Sequence, residues 1–182
     1  MFAYVDNSNV WIEGQRVQAV ELGQARTERD AMKRGITAPW QYDFGRLYEL
    51  ACPSGSMVGR SFLVGSRPPP NDSVWDRARN EGFEVEVHDR NAANKEKRVD
   101  TSLTTIMLDD SHEHMDPARG DLAVLVAGDG DGDFQPTLRS LHRRGLRVRV
   151  LSWDHACSRD LREDADEYLS LNPFFHWLTV SR

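Results

Sequence analysis

The stretch Leu122–Phe134, "LAVLVAGDGDGDF", runs seven residues without a charge and then sets Asp129, Asp131 and Asp133 two residues apart. A continuous apolar run suits a strand covered on both faces, the situation of a central strand in a parallel sheet. Three carboxylates at the end of such a strand repel one another. Water and hydrogen bonds, or a bound cation, must offset that repulsion.

Working outward from this stretch, other short apolar runs recur between helical segments. "FAYV" (Phe2–Val5) is continuous and ends at Asp6, while "MVGRSFLVG" (Met57–Gly65) ends at a proline-rich turn. "FEVEVHD" from Phe83 and "LRVRVLSW" (Leu146–Trp153) alternate, as strands nearer a sheet edge do. Between them, "NDSVWDRARNEG" offers Asn71, Asp72 or Ser73 as a helix cap and Gly82 as a stop. Leu103, Ile106 and Met107 share a helical face, and "FQPTLRSLHRRG" closes on Gly145. "SRDLREDADEYLSL" reads as a C-terminal helix capped by Ser158, with Leu161, Ala165, Tyr168 and Leu169 on one stripe. Strands alternating with helices predict a doubly wound α/β domain with right-handed crossovers.

The 182 residues fit a single domain, 1–182, with a helical and loop insertion at about 14–50: a helix, a polar loop and a second helix from about Tyr42. A hydrophobic fraction of 39% and a charged fraction of 29% describe an ordinary globular chain, and the net charge of -6 argues against coating nucleic acid by overall attraction. Cys52 and Cys157 stand in no metal-like or redox spacing. With no run near the roughly 18 apolar residues of a membrane span and no leader-like N-terminus, a cytoplasmic location is the expectation.

In open parallel sheets, ligands bind at the carboxyl ends of the strands, where the strand order reverses. If the first and fourth strands are neighbours, Asp6, Asp129, Asp131 and Asp133 face one crevice, and Asp100, at the head of "VDTSLTTIML", reaches the same end. Hard cations such as Mg²⁺ or Mn²⁺ suit a ring of carboxylates that leaves room for water, and such ions clamp phosphodiesters. Each residue also has a plainer reading, Asp6 as an Asx turn and Asp100 as a helix cap. An EF-hand fails: with Asp129 first, Phe134 stands where glycine is required and Ser140 where glutamate is. The glycines fit no dinucleotide fingerprint.

Four separated motifs, "FAYVDNSNVWIEG", "KRVDTSL", "GDGDGDFQPTLRSLHRRGLRVRVLSW" and "SRDLREDADEYLSL", resemble in order and spacing those of the NYN domain family, PIN-like metal-dependent ribonucleases. The resemblance spans residue 2 to about 171, with the insertion outside it. It implies a PIN-like three-layer α/β fold, a central, mostly parallel sheet flanked by helices, and an acidic site for Mg²⁺ or Mn²⁺. The implied activity is endonucleolytic hydrolysis of RNA by a metal-activated water. By the same resemblance Asp6 is the first metal ligand, Asn7 and Asn9 shape the pocket, Lys97 lies near a phosphate, and Asp100 joins the acidic cluster; Arg98 is a substrate contact by its position in "NKEKR" (Asn94–Arg98), which leads into Asp100. The usual G-D-x-D-F is two residues longer here. Counting forward from the strand selects Asp129 and Asp131; counting back from Phe134 selects Asp131 and Asp133. Asp129 and Asp133 are favoured as ligands, with Asp131 competing.

Other features weigh less. Arg139, Arg143, Arg144, Arg147 and Arg149 cannot all share one face, though one or two suit phosphate. His112 and His114 lack further zinc ligands at a useful distance. Trp11 can stack on a base or pack under the first turn, while Trp40, Trp75, Trp153 and Trp177 read as core or packing residues. RNA is the expected partner, a homodimer is left open, and a silent RNA- or protein-binding module of the same fold is the alternative. An aspartyl phosphatase would need a second carboxylate two residues after Asp6, where Ser8 stands.

Overall fold

The structure, a computed structural model, describes residues 1–67, 73–89, 95–128 and 132–180, with the backbone alone at 67, 89, 95–98 and 100. Six parallel strands, β1 (Phe2–Asp6), β2 (Arg60–Arg67), β3 (Glu84–Asp89), β4 (Leu122–Val126), β5 (Arg147–Ser152) and β6 (Glu167–Ser170), form one sheet in the order β3-β2-β1-β4-β5-β6. The two continuous apolar runs, β1 and β4, are its central pair, and every residue of both is buried. This is the sheet of an α/β fold with helices on both faces.

Alternation along the strands divides the core in two. Ala3, Val5, Leu63, Val124 and Leu151 face α1 (Asn7–Glu21), α3 (Phe44–Ala51), α4 (Ser73–Asn80) and the short C-terminal α8 (Phe175–Leu178). Phe2, Tyr4, Val64, Leu125 and Val150 face α5 (Lys95–Glu113), α6 (Gln135–Arg143) and α7 (Arg159–Asp164). Caps start these helices where the sequence allows them: Asp6, Asp43 and Ser158 each accept a backbone N–H from the first turn of α1, α3 and α7.

The structure corrects the sequence reading in two places. The "polar loop" of the 14–50 segment holds a helix, α2 (Glu28–Arg34). Thr27 caps it, acidic residues occupy its first turn and basic ones its last, as its dipole favours, and Gly35 ends it with φ 65°. The C-terminal helix stops at Asp164, and Tyr168 and Leu169 belong to β6. Asp166 draws the chain into the sheet: its N–H donates to the Val148 carbonyl at 2.9 Å and its carboxylate accepts the Val148 N–H at 2.7 Å. Of the tryptophans read as core or packing residues, Trp177 is of the second kind and packs against Phe174 at the surface. It is 40% exposed, with the Arg46 guanidinium over its ring, whereas Trp40, Trp75 and Trp153 are buried. Asn71 and Asp72 lie outside the described residues; α4 begins at Ser73.

Candidate active site

The strand order reverses between β1 and β4. The chain winds outward from β1 through β2 and β3 to one edge, then returns to β4 and winds toward β6 at the other. Val5 pairs with Val126, so the two strands end side by side. From there the connections part: α1 packs on one face of the sheet and α6, after the Gly-Asp loop, on the other. Such a parting leaves a crevice beyond the carboxyl ends of the strands.

Asp6 stands at its lip. It is only 5% exposed, and its Oδ1 accepts the Asn9 N–H at 3.0 Å. The bond spans three residues, so Asp6 is the N-cap of α1 and not the Asx turn that the sequence suggests, a cap that leaves Oδ2 outside this bond. Alternation puts Asp6 on the Phe2 and Tyr4 face, which α5 covers through Val99 and Leu103. The early turns of α5, carrying position 100, therefore lie on the Asp6 side of the sheet.

Asn9 bridges the parting. Its Nδ2 donates to the Gly128 carbonyl at 2.9 Å, and its Oδ1 accepts the Gly128 N–H at 2.7 Å. This two-bond clamp holds the point where the Gly-Asp loop leaves β4. A Cβ at Gly128 would sit 2.4 Å from Asn9 Oδ1 and 2.9 Å from Ala156 Cβ, so only glycine lets helix, strand and loop approach this closely. Asn9→Ala strands both Gly128 groups. It is expected to cost about 1–3 kcal/mol in urea unfolding and to speed amide exchange at Gly128. Unchanged exchange would show that the clamp does not hold the loop.

Two further groups escaped the sequence reading. The Tyr42 hydroxyl donates to Asn7 Oδ1, so the insertion supplies a wall of the site. Burial, reinforced by the charge of Asp6, pushes the Tyr42 phenol well above its usual range, keeping it a neutral donor. Nothing near Tyr42 in the sequence marks it. The second group is Glu13, which lies one turn beyond Asn9 on α1 and is buried against His155 (Nε2 to Oε2, 2.9 Å) and Arg16. Burial alone would raise the Glu13 carboxyl, but the bonds from His155 and Arg16 outweigh it and hold the group below the usual carboxylate range. His155 precedes Ala156, the neighbour of Gly128, so this pair ties the loop after β5 to α1 beside the clamp.

Of the predicted residues, the structure brings Asp6, Asn7 and Asn9 together at the end of β1, with Asn9 bonded to Gly128. Asp133 lies exposed in the turn after Gly132, two residues before α6. Asp129 and Asp131, and the side chains of Lys97, Arg98 and Asp100, lie outside the described residues. Among the described residues no three His, Cys, Asp or Glu side chains stand close enough to hold a metal ion. The arginine cluster is largely engaged within the chain: Arg139 with Asp164, Arg144 with His112, and Arg147 and Arg149 with Glu167. Among the described residues no helix is long and apolar enough to cross a membrane.

Comparison with known proteins adds two findings. The family model described as "NYN domain" matches residues 7–172. Among solved structures, a protein of unknown function, VPA0982, from Vibrio parahaemolyticus RIMD 2210633 is similar in fold, with a TM-score of 0.63 and 18% identity over 93% of this chain and 91% of its own. No curated protein sequence matches the chain.

Proposed function

The chain belongs to the NYN domain family, which carries a PIN-like nuclease fold, and from that premise we propose that it is a divalent-metal-dependent endoribonuclease. The observation that carries this reading is the buried Asp6 carboxylate at the strand-order reversal, one turn from the Asn9 clamp on Gly128. Asp6, Asp129 and Asp133 would hold Mg²⁺ or Mn²⁺, with Asp131 competing for a place and Asp100 assisting. The donor set fits such an ion, since carboxylate oxygens are the hard ligands it takes and an aspartate buried to 5% exposure gains most from a nearby dication. When bound, the ion supplies charge neutralisation at the phosphoryl oxygens and a more acidic water.

The protein's own residues do the positioning. Asn9 fixes where the Gly-Asp loop starts, so that its carboxylates can be directed toward Asp6. Tyr42 turns the Asn7 amide: with Oδ1 accepting the phenol proton, Asn7 Nδ2 is left as a donor for a substrate oxygen. Lys97 and Arg98, at the head of α5, would meet the phosphates on either side of the scissile bond. No side-chain nucleophile is required.

Purified protein with Mn²⁺ is expected to cut single-stranded RNA, leaving 5′-phosphate and 3′-hydroxyl ends, and to stop when a chelator is added. Cutting that persists in chelator contradicts the reading. RNA binding without turnover in any divalent ion would instead assign a silent binding module.

A further inference from the structure

Residues four apart on a helix share a face. On α1 this places Asn7, Trp11 and Gln15 in one row, with Gln18 one turn beyond Gln15. The segment carrying Trp40 and Gln41 runs opposite them, and a groove of about 670 Å³ lies between the two walls, with Thr179 also lining it. Its walls are held by specific contacts. The Trp11 indole N–H donates to the Trp40 carbonyl at 2.9 Å, and the Trp40 indole N–H donates to Thr179 Oγ1 at 2.8 Å. Gly14 makes the approach possible, since a Cβ there would sit 2.1 Å from the Trp40 ring.

The groove and the candidate active site draw on the same two segments of chain. Tyr42, the residue after Gln41, donates to Asn7, and Asn7 precedes Trp11 by about one helical turn, ~5.4 Å. The groove's lining combines half-buried aromatic surface and three glutamine amides with the apolar Leu22, Pro39 and Val180, and holds no charged side chain among the described residues. A phosphate would find no cation there. A flat, uncharged ring with donors and acceptors on its edge would find a stacking surface and amides that offer both.

We propose that this groove is a nucleobase subsite: one unpaired base of a single-stranded RNA lies against Trp11, its edge bonded to the Gln15 amide, while the phosphates of the strand stay outside on the way to the crevice. The proposal rests on the ribonuclease reading and adds to it that substrate is gripped by a base, one helical turn along α1 from Asn7.

The test is steady-state cleavage of a short single-stranded RNA in Mn²⁺, with an abasic nucleotide placed at each position in turn, by the wild type, Trp11→Ala and Gln15→Leu. Trp11→Ala is expected to raise KM about tenfold with kcat nearly unchanged. One abasic position should raise the wild-type KM by a similar factor and add nothing further in Trp11→Ala, because the two changes remove the same contact. Gln15→Leu keeps helix and bulk while removing the amide, and is expected to raise KM several-fold at an unchanged melting temperature. It decides the matter if Trp11→Ala proves unstable. Cleavage with KM unmoved by either variant, or abasic effects that add to Trp11→Ala at every position, overturns the groove alone. No cleavage by the wild type overturns the ribonuclease reading and the groove with it.

Discussion

Asparagine in place of Asp6 is expected to lower the rate of RNA cleavage by at least about 10³-fold and to leave the melting temperature unchanged or raised. The two halves of this expectation have separate causes. Losing a charged ligand removes electrostatic stabilisation that a Lewis-acid site supplies at several kcal/mol, and a thousandfold loss corresponds to about 4 kcal/mol of barrier. Stability is spared because Asn caps a helix as well as Asp does, so its Oδ1 can still accept the Asn9 N–H. The substitution also removes a carboxylate that is 5% exposed and bears electrostatically on the buried Tyr42 phenol. Initial rates on single-stranded RNA, measured beside a thermal melt, check both. A variant that melts like the wild type and still cuts within tenfold of its rate would remove Asp6 from the chemistry.

The second large effect lies far from the crevice. Asp110, 2% exposed on the last turns of α5, accepts the Tyr4 hydroxyl on Oδ2 at 2.9 Å and Arg60 on Oδ1 at 2.6 Å. Arg60 also forks onto Glu84 and lies over the Phe62 ring. Burial, and the charge of Asp110 beside it, push the Tyr4 phenol far above its usual range, so it remains a donor at any working pH. Asp110→Ala leaves the Tyr4 hydroxyl without its acceptor in the core and strips Arg60 of one carboxylate. Breaking a buried ionic network in this way costs about 3–5 kcal/mol. The lower end applies here, because Arg60 is about a third open to water and keeps Glu84. About 3 kcal/mol is a large part of the 5–15 kcal/mol that holds such a domain. Urea unfolding should show the midpoint fall, while RNA cleavage per folded molecule stays at the wild-type level. If activity per folded molecule falls with stability, the network reaches the site and the separation drawn here is wrong.

What the sequence could show depended on how local the signal was. β1 and β4 announce themselves by uninterrupted apolar runs, since a strand covered on both faces tolerates no polar position. Their adjacency was a condition that only the structure meets, because doubly wound sheets come in more than one strand order, whereas Asp6 at a strand end was legible from the run itself. β6 was not, because Leu161, Ala165, Tyr168 and Leu169 mimic a helical stripe; what overrides it is Asp166, whose bonds to Val148 come from a strand eighteen residues earlier. α2 hid in a polar segment because its stability comes from caps and end charges, with a single buried position, Ala31, where periodicity needs several. Tyr42 and the Glu13–His155 pair act across 35 and 142 residues of sequence, and no motif spacing reports a contact at that range.

The central claim is that carboxylates from separate strand ends share one dication where β1 and β4 part. An anomalous-difference map from crystals of the protein soaked in Mn²⁺ tests it most directly. The account predicts a peak within about 2.5 Å of an Asp6 oxygen that is also ligated by at least one aspartate of the 129–133 loop. A fully occupied Mn²⁺ peak elsewhere, with Asp6 bearing none, would contradict it.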